Sequence, residues 1–331
     1  MPTIKLNSGR TFPCETGTSI LDAASQAGIA LPYSCRTGRC STCKARVVDG
    51  ISRALREETG LTEQERAAGW ILGCVRTAQS DLVLEAQEMV GVDLPAPRIW
   101  PCRIHGLERL AHDVLRVILR LAPNADFHFR PGQYVDVLAP SGIRRSYSLA
   151  NCDFAEKLLE LHIREVPGGA MSEYWFGRAK VNDLLRLHGP LGTFFLRETA
   201  GADVYFLATG TGIAPIRSML GSMAQLPAAE RARSVTVLWG GRHLPDLYLP
   251  ATELAACDRF VPVLSRADAS WTGARGHVQD VLLASGAELR DAVVYACGSD
   301  AMIHGARAAL CGAGVAPDRF YSDAFVSSGL N

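Results

Sequence analysis

The sequence predicts a multidomain protein with a small α+β domain, an antiparallel β-barrel and an α/β domain built on a doubly wound parallel sheet. Its 331 residues suffice for two or three domains. The pattern changes near residue 201. Before it the chain contains mostly β-branched strands, and after it apolar strands alternate with helical segments. A stretch with two prolines at 91–98 indicates a semi-rigid linker. We therefore expect domains at 1–90, 99–198 and 199–331.

The first domain alternates short strands with helices, which is typical of a ferredoxin-like (β-grasp) α+β fold. Its predicted elements are a strand pair over 3–12, a helix capped by Thr18 or Ser19 and ending at Gly28, a strand at Ala45–Val48, a short helix at Thr62–Ala68 and a strand at Asp81–Ala86.

Four cysteines in this domain have an informative spacing. Cys35, Cys40 and Cys43 form C-x4-C-x2-C, and Cys74 follows after thirty residues. This is the plant-type spacing of a [2Fe–2S] cluster, in which four thiolates hold two irons. The loop is short, polar and contains glycine, so it can wrap around a cluster. We predict these four residues as the metal ligands of a centre that moves single electrons.

Two other uses of the cysteines fit less well. Zinc sites usually combine two short paired arms, whereas Cys74 stands alone. A disulfide framework requires an oxidising compartment, and the N-terminus has no leader character. The other six cysteines are scattered in apolar surroundings: Cys14, Cys102, Cys152, Cys257, Cys297 and Cys311.

Composition limits the partners. The chain is 48% hydrophobic and 21% charged, with 34 basic and 34 acidic residues. Zero net charge argues against nucleic acid or an anionic membrane as a partner. No apolar run approaches the roughly 20 residues that cross a bilayer. We therefore expect a cytoplasmic protein.

The second domain contains mostly β-branched segments. Strands are predicted at Val114–Leu121, Tyr134–Leu138 and Leu158–Arg164, with turns at Pro131-Gly132 and at 189–192. Strands separated by such turns predict an antiparallel barrel.

One segment of this barrel has the residues that a flavin requires. Arg145, Tyr147 and Ser148 supply a cation, an aromatic ring and a hydroxyl from one strand end. Such a combination is weak alone, because strand-end arginines and half-buried tyrosines are common. A second element, with Gly169 and Ser172, opens a helix whose free amides suit a phosphate. With a redox cluster upstream, the two elements predict FAD.

The third domain has a glycine-rich turn between a buried strand and a helix. Gly210, Thr211, Gly212 and Pro215 give G-x-G-x-x-P, which differs from the Rossmann fingerprint in its last position. The turn still places backbone amides at a dinucleotide diphosphate. Cys297 ends a later strand, where it is either a nicotinamide contact or a small buried apolar residue.

Taken together, these motifs resemble the ferredoxin–NADP⁺ reductase superfamily, in the arrangement with an N-terminal ferredoxin domain. The resemblance covers essentially the whole chain. It is strongest to the CDP-6-deoxy-Δ3,4-glucoseen reductase subfamily, and reductases of ring-hydroxylating dioxygenases and of phenol and methane monooxygenases share the architecture. The supporting stretches are Trp100–Arg103, Gly189–Phe195, Ser270–Gly273, Tyr295–Ser299 and Phe320–Val326.

The resemblance implies roles for individual residues. Arg145 would meet the FAD pyrophosphate, Tyr147 would stack on the isoalloxazine and Ser148 would bond near N5. Catalytic roles would fall to Ser148 and Cys297, and Phe325 would cover the flavin unless it is an ordinary core residue. The other implied cofactor-binding residues are Ser146, His162, Ile163, Arg164, Gly169, Met171, Ser172, Gly210, Thr211, Gly212, Ala214, Pro215, Ser265, Arg266, Gly298 and Ser299.

The same resemblance implies a reaction. NADH would deliver hydride to FAD, which would pass single electrons to the cluster and on to an acceptor protein. Ser265 and Arg266 resemble a 2′-phosphate pair, but the usual basic-x-aromatic element is absent and Asp246 could repel a phosphate, so NADH is favoured over NADPH. The acceptor would be a pyridoxamine-dependent dehydratase or an oxygenase component. A non-enzymatic electron carrier or redox sensor is the third alternative.

Four basic residues lie next to the cluster motif, namely Arg36, Arg39, Lys44 and Arg46. They are either a solvated surface or a basic rim for an acidic partner, in which case salt would slow association.

Overall fold

The computed structural model describes residues 1–139 and 142–325. The chain divides into two compact units, Met1–Leu94 and Pro95–Asn331. We call them the N-terminal and the C-terminal unit.

The N-terminal unit is an α+β domain around a five-stranded sheet of order β2-β1-β7-β3-β5, with β4 and β6 forming a separate pair. Its elements are β1 (Thr3–Leu6), β2 (Thr11–Pro13), α1 (Ile20–Gln26), β3 (Lys44–Asp49), β4 (Ser52–Ala54), α2 (Glu63–Ala67), β5 (Trp70–Leu72), β6 (Arg76–Ala78) and β7 (Leu82–Ala86). The predicted helices and strands of this unit are confirmed.

Local chemistry explains where its helices begin and end. Ser19 caps α1, since its hydroxyl accepts a 3.0 Å hydrogen bond from the Asp22 amide. Gly28 follows the helix with φ +68°, a conformation that favours glycine. Thr62 and Glu65 form a reciprocal capping box at α2.

The C-terminal unit begins with a six-stranded antiparallel barrel of order β11-β10-β13-β8-β9-β12. Its elements are β8 (Arg98–Ala111), β9 (Val114–Leu121), β10 (Tyr134–Leu138), β11 (Arg144–Ser148), β12 (Leu158–Arg164), α3 (Ala170–Glu173) and β13 (Leu184–Leu191). A bridge between Leu149 and Leu161 brings the edge strands together and closes the sheet.

The three strands predicted for the barrel begin and end as expected, but one predicted turn is wrong. The segment predicted as a turn at 189–192 is strand as far as Leu191, because β13 pairs with β8 through Gly189 and with β10 at Leu191. The fourteen-residue β8 was not predicted. Register shifts between Ile104 and Gly106 and between Arg109 and Ala111 interrupt its alternation.

The second half of the unit is a parallel six-stranded sheet of order β17-β16-β15-β14-β18-β19 flanked by helices. Its elements are β14 (Asp203–Thr209), α4 (Ile213–Met223), β15 (Ser234–Gly241), β16 (Arg259–Leu264), β17 (Ala274–Arg275), α5 (Val278–Ala284), β18 (Val293–Ser299), α6 (Asp300–Gly312) and β19 (Phe320–Phe325). Across the described ranges, no helix combines the length and apolar character needed to cross a bilayer.

Candidate functional site

The four predicted metal ligands lie in two pairs. The interaction between the Cys35 and Cys40 thiols lowers the pKa of Cys35 to about 5 and raises that of Cys40. In the same way the interaction between the Cys43 and Cys74 thiols raises the pKa of Cys43 and lowers that of Cys74. Each pair thus brings two sulfurs together, at a place where a metal would bind both.

This pairing matches a diiron cluster rather than a single ion. A structural zinc site gathers four ligands around one ion, whereas a [2Fe–2S] cluster spreads four thiolates over two irons. The amides of Cys35 and Thr37 also point at sulfur, each at 3.4 Å from the Sγ of Cys40 and Cys35 respectively. The residues present therefore fit a [2Fe–2S] cluster.

The cysteine loop is shaped by close backbone contacts. Gly38 has φ +79°, and a Cβ there would lie 2.5 Å from the Glu57 carbonyl oxygen. The Gly60 amide donates to the Gly38 carbonyl at 2.9 Å. The buried Glu58 carboxylate accepts from the Leu72 amide at 2.6 Å and holds Arg76. Sequence reasoning missed this supporting segment, 57–60, because it has no motif of its own.

Three of the four basic residues beside the cluster motif form ion pairs with acids. Arg36 pairs with Asp22, Lys44 with Glu65, and Arg46 with Glu85. These acids are distant in sequence, so the pairing was not visible from the motif.

Tyr147 of the predicted flavin segment is held by an aromatic neighbour. The Trp175 indole Nε1 donates a 3.0 Å hydrogen bond to the Tyr147 hydroxyl, and the rings meet edge to face at 6.2 Å. Burial raises the pKa of Tyr147, so its hydroxyl stays protonated. Ser148 follows as the buried last residue of β11. Trp175 was missed because it lies on a π-helical turn with no sequence signature.

Two adjacent arginines on β11 differ in their partners. Asp136 accepts hydrogen bonds from Arg144 Nε at 2.7 Å and from Ser146 Oγ. The exposed Arg145 side chain bonds only the Arg144 carbonyl oxygen within the described part of the chain. A guanidinium without an acidic partner beside a half-buried Tyr147 suits a pyrophosphate, so the residues fit FAD.

The second predicted phosphate element is one α-helical turn. Gly168 has φ +71° and precedes α3, where the Ser172 hydroxyl accepts a 2.8 Å hydrogen bond from the Val166 amide. Gly169 caps the turn, and Met171 is buried in the barrel core. The helix predicted here is thus present, although it continues as the π-helical turn Tyr174–Arg178.

His162 and Ile163 lie inside the protein. Ile163 packs in the barrel core. The buried His162 ring bonds Glu160 at 2.9 Å and the Tyr248 hydroxyl at 3.0 Å, so it links the barrel to the parallel-sheet half. Burial lowers the pKa of His162, which keeps the ring neutral.

Around this histidine lies an ionic network that the sequence did not reveal. Arg116 contacts Glu160 at 3.0 Å and Glu253 at 2.8 Å. Arg217 on α4 contacts the same two acids, each at 3.2 Å. Although burial opposes it, the His162 hydrogen bond and the two cations hold the pKa of Glu160 at about 2.

Arg164 reaches the glycine-rich turn. Its Nε lies 3.1 Å from an Asp113 carboxylate oxygen, while its buried Nη2 has no hydrogen-bond partner among the described residues. Gly210 has φ +56°, and a Cβ there would lie 2.7 Å from Arg164 Nη1. A buried, unsatisfied guanidinium nitrogen beside a glycine-rich turn is suited to an anion. The residues therefore fit a dinucleotide diphosphate.

The ends of β14 and β18 meet at the same turn. A Cβ on Gly212 would lie 2.1 Å from the Cys297 carbonyl oxygen, and one on Gly298 2.0 Å from Thr209 Oγ1. The Ser299 amide donates to that hydroxyl at 3.2 Å. Thr211 stays half-buried in the turn, and Ala214 and Pro215 are buried in α4.

Cys297 and Phe325 have different surroundings. Cys297 is completely buried in the hydrophobic core, and burial raises the pKa of its thiol well above the usual range. This is the environment of a packing residue, and its contact with nicotinamide stays a prediction. Phe325 pairs in register with Ser299 and is 36% exposed.

The residues considered for nucleotide specificity lie at the ends of β15 and β16. The Ser265 amide bonds the Gly241 carbonyl, and the Arg266 amide bonds the Arg242 carbonyl at 2.9 Å. Asp246 accepts hydrogen bonds from two backbone amides in the connecting loop, which lower its pKa despite partial burial.

Three family models match successive parts of the chain. They are a 2Fe-2S iron-sulfur cluster binding domain at residues 4–79, an oxidoreductase FAD-binding domain at 101–196 and an oxidoreductase NAD-binding domain at 206–308. These models match the cysteine loop, the barrel and the parallel sheet.

Full-length relatives have the same organisation. The chain is 38% identical to the CDP-6-deoxy-L-threo-D-glycero-4-hexulose-3-dehydrase reductase of Yersinia pestis, covering 98% of each chain. It is 32% identical to terephthalate 1,2-dioxygenase reductase component 1 of Comamonas sp, covering 97% of this chain and 96% of the relative. The crystal structure of Amycolatopsis cytochrome P450 reductase GcoB superposes with a TM-score of 0.78 at 31% identity, covering 98% and 99% of the two chains.

Proposed function

We propose that this chain, which belongs to the family of iron–sulfur flavoprotein reductases, draws electrons from NADH and delivers them to a separate acceptor protein. The observation that carries the proposal is the succession of 2Fe-2S, FAD-binding and NAD-binding domains along the chain, with the Cys35 amide directed at the Cys40 sulfur at 3.4 Å in the first of them. When bound, FAD converts hydride into single electrons and the cluster stores one at a time.

In this proposal the N-terminal unit holds the cluster. Cys35 and Cys40 would ligate one iron, and Cys43 and Cys74 the other. The amides that already point at sulfur would stabilise the reduced, more negative centre. Close packing at Gly38 fixes the loop that presents them.

The barrel would hold FAD. Tyr147 would present its ring to the isoalloxazine, because the Trp175 hydrogen bond fixes the direction of the hydroxyl. Ser148 would bond the reacting edge of the flavin, and the unpaired Arg145 would meet the pyrophosphate. The second element would contribute Gly169 and Ser172.

The parallel sheet would hold the nicotinamide dinucleotide. Gly210, Thr211 and Gly212 would face the diphosphate, and Arg164 would satisfy its buried Nη2 on the same group. Gly298 and Ser299 would line the strand end near the nicotinamide, with Cys297 packed behind them. Phe325 would cover the entry to the flavin.

We propose NADH as the preferred donor. Asp246 keeps a negative charge in the loop after Gly241, and its oxygen accepts from the Arg242 amide at 2.7 Å. A 2′-phosphate would bring two further negative charges close to this carboxylate. The ratio of kcat/KM for NADH to that for NADPH tests the choice, and a ratio below one would reverse it.

The acceptor we propose is a pyridoxamine-dependent dehydratase of deoxysugar synthesis. The support is a relative named for a dehydrase that is 38% identical, compared with 32% for one named for a dioxygenase. An oxygenase component is the second candidate, supported by the 0.78 TM-score with a cytochrome P450 reductase.

We propose the cytoplasm as the compartment of this protein. The ten cysteines form no disulfide in the structure, which suits a reducing compartment.

Reconstitution tests the function. The purified chain, loaded anaerobically with FAD, iron and sulfide, is mixed with NADH and one acceptor at a time: a pyridoxamine-dependent dehydratase or a Rieske oxygenase. We expect NADH-dependent turnover with the dehydratase. Turnover with the oxygenase alone would move the assignment to the second candidate, and failure of NADH to reduce the loaded chain would overturn the reductase function itself.

A further inference from the structure

Charge is divided unevenly within the N-terminal unit. Residues 36–76 contain eight basic and five acidic side chains, whereas residues 77–94 contain four acidic and no basic ones. Three of the four cluster cysteines lie within the basic stretch, and Cys35 immediately precedes it. The electron-donating part of the unit is therefore its positive part.

Not every cation in this stretch is available to a partner. Arg36, Lys44 and Arg46 are held by acidic side chains of the same unit. Arg53 and Arg56 are exposed, and neither guanidinium has a partner among the residues that the structure describes. These two arginines can therefore meet an outside charge without first breaking an ion pair.

The segment that contains both arginines pairs with the residues that follow the fourth cysteine. Strand β4 pairs with β6, so that Ala54 faces Arg76. The Leu55 amide donates a 2.7 Å hydrogen bond to the Val75 carbonyl, next to Cys74 in sequence. The segment that carries the free arginines therefore runs alongside the cluster-binding turn.

Exposed apolar side chains accompany them. Ile51 is 62% exposed and Leu55 is 37% exposed. Large apolar side chains mixed with arginine are the composition of protein interfaces, where apolar contacts supply affinity and charge supplies selection. The nearby exposed acids are Asp49, two residues before Ile51, and Glu57, directly after Arg56, so residues 51–57 carry one net positive charge.

We infer that Ile51, Arg53, Leu55 and Arg56 form the docking face for the electron acceptor. This inference rests on the proposed function and deepens it, because it specifies the partner's surface. The partner is a protein that presents acidic side chains around an apolar contact. Electrons then leave the cluster on the Cys74 side, and Arg36, Lys44 and Arg46, which are already paired with acids, contribute little.

Two heme proteins of opposite surface charge serve as probes. The loaded chain reduces cytochrome b5, which is acidic, or cytochrome c, which is basic, with NADH as donor at a series of ionic strengths. We expect kcat/KM for cytochrome b5 to fall with salt. At low salt Arg53→Glu and Arg56→Glu should each lower kcat/KM for cytochrome b5 about fivefold or more. The same changes should raise kcat/KM for cytochrome c. Leu55→Ser should lower kcat/KM for both cytochromes at every salt concentration, because it removes an apolar contact.

The matched control is Lys5→Glu, which reverses an exposed charge on β1 outside the basic stretch and should leave both rates unchanged. Equal effects of Lys5→Glu and Arg56→Glu, or no effect of either arginine change, would overturn the docking face. EPR of the NADH-reduced chain separates the two proposals. Loss of the reduced-cluster signal in the unmodified chain would refute the function, whereas an intact signal with unaffected variants would refute only the docking face.

Discussion

Arg164 and Gly210 are in such close contact that a methyl group on the glycine would lie 2.7 Å from Nη1 of the arginine. Arg164 belongs to barrel strand β12, and Gly210 opens the turn after β14. One side chain of the barrel therefore reaches the glycine-rich turn, and its Nη2 is buried without a hydrogen-bond partner in the described structure.

Removing this guanidinium should weaken dinucleotide binding selectively. Hydrogen bonds to charged groups contribute about 1.5–3 kcal/mol, so Arg164→Met should raise KM for NADH by roughly 10- to 100-fold. The FAD content should not change, because the side chain points to the turn. Steady-state kinetics measure KM for NADH, and the flavin absorbance of the purified variant measures its FAD content. Arg103→Met, at an exposed position of β8, is the control, and an equal KM change there would contradict the assignment.

Tyr147 and Trp175 should behave as an energetically linked pair. Tyr147→Phe leaves the buried indole N–H unsatisfied, which costs about 1–3 kcal/mol of unfolding free energy. Trp175→Phe removes the donor, so the double variant should be more stable than the sum of the single losses predicts, by about 1 kcal/mol. Urea unfolding of the FAD-loaded chain measures this. Strict additivity would show that the hydrogen bond is not formed.

Glu160 should make the C-terminal unit sensitive to acid. Its pKa is about 2 in the folded chain and 4.5 ordinarily, so the folded state binds the proton less readily. The resulting stabilisation is complete above pH 4.5 and is lost as the pH falls towards 2. It amounts to no more than about 3 kcal/mol.

Glu160→Gln tests this at the residue. The groups that face the carboxylate are Arg116 on β9, His162 on β12 and Arg217 on α4. The variant should unfold at lower urea concentration at pH 7, and its stability should change less between pH 4.5 and 3 than that of the wild type. The control is Glu156→Gln, at an exposed acid whose side chain is 77% accessible. It should change neither the urea concentration of unfolding at pH 7 nor the loss of stability between pH 4.5 and 3. Unchanged pH dependence in the Glu160 variant would contradict the prediction.

Asp246 should influence the choice of nucleotide. Asp246→Asn keeps an oxygen for the two loop amides but removes the negative charge. The ratio of kcat/KM for NADPH to that for NADH should therefore rise, by about 5- to 10-fold. Initial rates with the two nucleotides measure it. An unchanged ratio would show that Asp246 does not face the 2′ position.

Local patterns predicted much of the fold. Val114–Leu121, Tyr134–Leu138 and Leu158–Arg164 begin and end as predicted, because alternation and β-branching act within one strand. Prediction failed where pairing with distant strands determines how far a strand extends. Bulges break the alternation of β8, and β13 continues through Gly189 because strands on both sides of it supply partners.

The site was predictable where chemistry depends on spacing and not where it depends on contacts between distant residues. The cysteine spacing predicted a [2Fe–2S] domain, which the family model at residues 4–79 confirms, and the four individual ligands stay a prediction. No sequence signal connects Trp175 with Tyr147 or Arg217 with Glu160, since each pair is created by folding. His162 was predicted as a cofactor-binding residue from its place in β12. Its ring is buried and contacts the Tyr248 hydroxyl, which the sequence did not indicate.

The most direct test of the account is anaerobic rapid mixing of NADH with the FAD-loaded Cys74→Ser chain, followed by flavin absorbance, the EPR signal of a reduced [2Fe–2S] centre and reduction of the acceptor. The account predicts that the flavin is reduced at nearly the wild-type rate while the cluster signal and acceptor reduction are lost. Acceptor reduction at the wild-type rate, or equal loss of flavin and acceptor reduction, would contradict it.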